Sequence, residues 1–120
     1  MKKKIVPGLF VLFISLLANG CRSAFVSATI TNHSSERITL LEVDYPSASF
    51  GVGSLSPQAK FHYRFKIQGS GPVSLQFTDG SGKAHTAAGP ELHEGEQGTL
   101  EINIDDSLST SWIPNLKKIR

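Results

Sequence analysis

The groups able to do chemistry in this 120-residue chain are few: one thiol, four imidazoles and two short charged stretches. The thiol is Cys21, in "LLANGCRSAF" (Leu16 to Phe25), between an apolar run and the first strand-like residues. With no second cysteine it forms no disulfide within the chain. Nucleophilic catalysis needs a base beside such a group, but His33, His62, His85 and His93 fall on four different predicted elements and no nucleophile-elbow motif occurs. The stretch "ELHEGE" gathers Glu91, His93, Glu94 and Glu96, oxygen and nitrogen ligands in close sequence. It has neither the EF-hand spacing nor two histidines on one helix, so it reads as a solvated acidic loop. The glycine clusters "GVGS", "GSGP" and "DGSG" lack the spacing of a phosphate or dinucleotide loop and read as turns. No enzyme, metal or cofactor is expected.

Lys60, His62, Arg64 and Lys66 alternate with apolar residues in "KFHYRFKI", which places them about 6.6 to 7 Å apart on one strand face. Such a strip could meet an acidic partner, an anionic glycan or lipid headgroups. The competing reading is a solvated face paired with Glu101 and Asp105, or with Glu42 and Asp44, on neighbouring strands. The second candidate contact is the end of the chain, where Trp112, Ile113 and Leu116 stand among Lys117, Lys118 and Arg120. That segment is expected to pack on the domain or fray, with a partner groove or a lipid surface as alternatives. Asn32-His33-Ser34 fits a glycosylation sequon, but it reads more economically as a turn.

The N-terminal segment decides the context. Three lysines, Lys2 to Lys4, precede the apolar stretch Ile5 to Ala18, which Pro7 and Gly8 interrupt and which is shorter than a bilayer span. A basic start, an apolar middle and small residues at its end describe an export signal. Leu17-Ala18-Asn19-Gly20-Cys21 resembles the lipobox of bacterial lipoproteins, with Ala18 where that family usually has leucine. The resemblance implies cleavage before Cys21, a diacylglyceryl thioether on its sulfur and acylation of its new amino group. It makes Cys21 the membrane attachment and implies a cell-envelope location, with the periplasmic face of the outer membrane preferred to the inner membrane in a Gram-negative cell. A plain secretory signal would leave an exposed free thiol, an uncommon arrangement.

Removing residues 1–20 leaves nine Lys and Arg against ten Asp and Glu, a formal −1. The basic charge of the whole chain is a property of the signal, and nucleic acid is not an expected partner. About 100 residues suit one domain. Period-two alternation runs through "AFVSATIT", "KFHYRFKI", "PVSLQFT" and "TLEINID". Between Arg37 and Tyr45 the phase shifts, which predicts a β-bulge near Leu40. Shorter strands are expected at residues 49–54 and 83–88, and "GPELHEGEQG" (residues 89–98) as a long loop.

Seven strands separated by turns predict an all-β, antiparallel β-sandwich, Ig-like in architecture, with a small barrel as the alternative. The predicted organisation is a signal at 1–20, an anchor and tether at 21–23, the sandwich at 24–105 and a tail at 106–120. Alternating strand directions would gather the loops near residues 32–36, 55–59 and 79–82 at one end, and those near 46–48, 68–71 and 89–97 at the other. The expected role is a non-enzymatic, membrane-anchored interaction module with an envelope protein as partner. Alternatives are a lipoprotein that binds a glycan or small ligand and, less favoured, an envelope hydrolase.

Overall fold

The computed structural model describes residues 24–118. Cys21, the apolar run before it, the tether Arg22-Ser23 and the last two residues lie outside that range. Eight strands follow one another: β1 (Val26–Asn32), β2 (Ile38–Tyr45), β3 (Ala48–Leu55), β4 (Lys60–Phe65), β5 (Gly71–Thr78), β6 (Ala84–Leu92), β7 (Glu96–Ile104) and β8 (Thr110–Lys118). They form a β-sandwich of two four-stranded sheets, β4-β1-β7-β8 and β3-β2-β5-β6. Every pairing is antiparallel except β1 with β7, which is parallel.

The alternating residues do what their period demands. Val26, Ala28 and Ile30 of β1 and Leu100, Ile102 and Ile104 of β7 point inward and are buried. They meet Val43 of β2 and Val73, Leu75 and Phe77 of β5 in one core. Each fully buried aliphatic side chain contributes about 1.5 to 3 kcal/mol. An aromatic group lines the side where β3 and β4 meet, with Phe50 and Tyr63 stacked at 4.3 Å and Tyr45 and Phe65 tilted at 4.2 Å.

Two expectations about the elements need correction. The strands number eight, because the expected tail forms β8, paired with β7 from Thr110↔Ile104 to Lys118↔Glu96. Pro114 is compatible with a strand here because β8 is an edge and one side of its backbone has no ladder to complete. The long loop at 89–98 is mostly strand, with the turn confined to residues 93–95. A bulge hides this in the sequence: Gly89 and Pro90 of β6 together oppose Val73 of β5, so the phase shifts between Ala88 and Glu91. The bulge expected near Leu40 is present, with Leu40 and Leu41 opposing Phe77.

The connections gather at two ends as expected. At the entry end, where the described chain begins, Ser70 Oγ accepts from Glu94 N at 3.1 Å. At the far end, Glu36 Oε1 accepts from Gly80 N at 2.8 Å. The far end is locked by Asn32, which is fully buried. Its Nδ2 donates to the carbonyls of Glu36 (2.8 Å), Leu55 (3.0 Å) and Ser56 (3.3 Å), while its Oδ1 accepts from Ser34 N (3.0 Å) and Ser34 Oγ (2.6 Å). The amide nitrogen of the sequon is therefore committed inside the loop it holds.

Candidate functional site: a basic sheet face and a bulged edge

On the outward face of the β4-β1-β7-β8 sheet, register fixes the neighbours. Arg64, His62 and Lys60 of β4 lie opposite Ser27, Thr29 and Thr31 of β1. These in turn lie beside Thr99, Glu101 and Asn103 of β7, which face Asn115, Ile113 and Ser111 of β8. The strip read in the sequence is thus present and exposed over Lys60, His62 and Arg64, and Lys66 follows just beyond the strand, also exposed.

The expected acidic partners are not beside it. Glu101 is a strand further away, Glu42 and Asp44 belong to the other sheet, and Asp105 closes the β7–β8 turn. Among the described residues no carboxylate lies within 4.0 Å of Lys60, Arg64 or Lys66. His62 Nδ1 is instead 3.0 Å from Thr29 Oγ1, and the Arg64 guanidinium carbon lies 4.2 Å from the centre of the Phe25 ring.

The entry end of this face is a trough. Small or short residues of the two central strands, Ser27, Gly98 and Thr99, form its floor, while Arg64 over Phe25 on one side and Asn115 and Lys117 on the other form its walls. Gly98 is needed at this point. Its φ of 138° is unfavourable for other residues, and a Cβ there would lie 2.1 Å from the Asn115 carbonyl oxygen.

The three residues read as a tail contact separate. Trp112 points inward and packs over Gly89 of β6, where a Cβ would come within 2.8 Å of the indole. Leu116 is half-buried against the core, and Ile113 faces out, 52% exposed, opposite Glu101. Trp112 and Leu116 thus close the β6–β8 side of the sandwich.

"ELHEGE" closes the β6–β7 turn. Glu96 Oε1 accepts from His93 N at 2.8 Å, and its other oxygen is 3.5 Å from His93 Nδ1. Among the described residues no group of three His, Cys, Asp or Glu is placed to hold a metal.

Two arrangements had no clear signal in the sequence. The first is Asp79, whose Oδ2 is 2.7 Å from His85 Nε2 while Oδ1 accepts from Ser81 N, Ser81 Oγ and Lys83 N. The His85 contact, then the Ser81 hydroxyl and the Lys83 amide, hold the Asp79 carboxyl well below the usual carboxylate range. The His85 ring stacks on Phe77, with centroids 5.0 Å apart. Asp105 repeats the device with Ser107 and Ser109, so "DGSGK" and "DDSLS" are one turn type, with Gly82 and Leu108 at positive φ.

The second is the β2–β3 edge of the other sheet. Leu40 sits at φ 51° and is 70% exposed, turned outward by the bulge while Leu41 points into the core. Beside it, β3 presents Gly51 and Gly53, and a Cβ on Gly51 would meet the Leu41 carbonyl oxygen at 2.3 Å. Glu42 and Asp44 share this face, and Gln76 Nε2 donates to Glu42 Oε1 at 3.1 Å. The hydrogen bond with Glu42, followed by burial and the Glu42 charge, raises the Asp44 pKa. One outer face of the sandwich is thus mainly basic and the other acidic.

No protein-family model matches the chain, and no curated protein does. Among solved structures, the NMR structure of a protein from Eubacterium rectale is similar, with a TM-score of 0.56 and 12% sequence identity over 80% of this chain and 93% of that one. At that identity the likeness concerns the fold alone.

Proposed function

We propose that the protein is a membrane-anchored lipoprotein of the bacterial cell envelope, attached through lipidated Cys21, whose sandwich is a non-enzymatic docking module for an envelope protein. The observation that carries the docking reading is Leu40: a leucine in the left-handed backbone region, turned into solvent on an otherwise well-packed domain. Backbone strain of about 1 to 2 kcal/mol is retained where the conformation has a use. The adjoining β3 is a sheet edge whose glycines leave its backbone open to an added strand. The partner would pair with β3, seat an apolar side chain on Leu40 and bring basic residues toward Glu42 and Asp44. The aromatic side chains give less support to a glycan site, since Phe50 and Phe65 are buried and Tyr63, at 41% exposed, stacks on Phe50.

Crosslinking in living cells followed by mass spectrometry tests this reading, comparing wild type with Leu40→Asp and Cys21→Ser. The expected result is one specific envelope protein, lost in Leu40→Asp and reduced in Cys21→Ser. Absence of any specific protein from an abundant, anchored wild type would overturn it.

A further inference from the structure

We propose that the trough at the entry end of the β4-β1-β7-β8 sheet is the seat of anionic lipid headgroups, so that the domain lies with this face on the bilayer. The inference rests on the anchor at Cys21 proposed above. From Cys21 to Phe25 the chain spans at most about 14 Å, so in an anchored molecule Phe25, part of the trough wall, stays within that reach of the lipid attachment and close to the headgroups.

The wall chemistry suits phosphoryl groups. Arg64 offers a planar fork of donors and Lys117 a compact charge, with Ser27, Thr99 and Asn115 as neutral donors between them. Lys66 and Lys118 lie at the same end, because β4 and β8 both run toward it.

Among the described residues every titratable group facing the trough agrees in sign. The carboxylate of this strand face, Glu101, sits level with Thr29, two residues farther from the entry end than Ser27. Glu96 lies opposite Lys118 and is held by the His93 amide in the β6–β7 turn. Asp44 and Glu91 belong to the opposite sheet. An anionic surface is therefore attracted to one face of the sandwich and repelled by the other, which leaves the β3 edge pointing away from lipid.

The test uses protein isolated from cells, with the mass of its N-terminal peptide measured, on vesicles of phosphatidylcholine with and without phosphatidylglycerol. A gadolinium-chelate lipid broadens the amide signals of residues close to the surface. With the anionic lipid, broadening is expected at Phe25, Ser27, Thr99 and Asn115, and absent at Glu42 and Gly51. Each cation near an anionic surface is worth roughly a five-fold gain in occupancy. Arg64→Gln with Lys117→Gln therefore lowers the face-down population about 25-fold, while Lys83→Gln at the far end leaves it unchanged. Broadening that is equal on both faces, or indifferent to phosphatidylglycerol, overturns the trough even where Cys21 carries its lipid. An unmodified Cys21 overturns the anchor; vesicles added to that protein must then still produce the same one-sided pattern, or the trough fails with it.

Discussion

Replacing Asn32 by alanine is expected to cost this domain a large part of its stability without touching its apolar core. The side chain serves three carbonyls and two donors of Ser34, tying the β1–β2 loop to the end of β3. Three of the lost bonds are themselves buried; Ser34 Oγ keeps the Glu36 carbonyl at 3.1 Å as a partner, while the Leu55 carbonyl and the Ser34 amide lose the bond to Asn32 without such a replacement. A buried group deprived of its partner costs about 1 to 3 kcal/mol, so the two together give about 2 to 6 kcal/mol. Domains of this size unfold with about 5 to 15 kcal/mol in total. Asn32→Asp keeps the volume but turns a carboxylate oxygen toward three carbonyl oxygens, and it should be no milder. Urea unfolding at pH 7 measures both variants, and an unchanged slope would show that the midpoint shift is one of stability. Asn103→Ala, which removes only the 3.0 Å contact with His33, serves as the comparison and should lose less than about 1 kcal/mol. A loss below 1 kcal/mol in Asn32→Ala, or an Asn32→Asp protein as stable as wild type, would refute the reasoning.

Other substitutions probe other parts of the fold. Gly89→Ala places a methyl 2.8 Å from the Trp112 ring and should cost about 1 to 3 kcal/mol, with tryptophan emission shifted to the red; an unshifted spectrum at full stability would contradict that packing. Leu40→Gly relieves the positive φ, and since glycine loses more chain entropy on folding, stability should stay level or rise by up to about 1 kcal/mol while partner capture is lost; marked destabilisation would make Leu40 structural. Asp79 and Asp105 both titrate below the ordinary carboxylate range, so their contribution is complete above about pH 4 to 5 and is lost as pH falls toward their own lower values. Asp79→Asn should therefore be less stable at pH 7 and depend less on pH between 4 and 2; parallel acid profiles for the two proteins would count against this account.

The sequence conveyed the strands with regular alternation, because one buried and one wet face leave a period of two. It even conveyed the bulge, since Ile38 and Leu41 point inward at a spacing that no regular strand allows. It concealed β8, where Ile113 faces water and Pro114 stands on the inward parity, reversing the usual pattern. It also concealed the continuation of β6 behind Gly89 and Pro90. The basic strip was legible as a pattern, but its neighbours were not. Which strand lies beside β4 depends on contacts between distant segments, and β1 brought Ser27, Thr29 and Thr31 where acids were anticipated. The exposed leucine was equally hidden, since predicting a bulge does not say which of its two residues turns outward.

The position of β1 between β4 and β7 sets a timetable for folding. The first of these strands to leave a ribosome must wait for residues more than seventy places later before both its edges are paired. The other sheet, β3-β2-β5-β6, is complete once Leu92 is available, so nascent protein would hold a half-sandwich with Val26, Ala28 and Ile30 still uncovered. That delay makes the interval before β7 and β8 arrive the period in which aggregation or capture by a chaperone competes with folding.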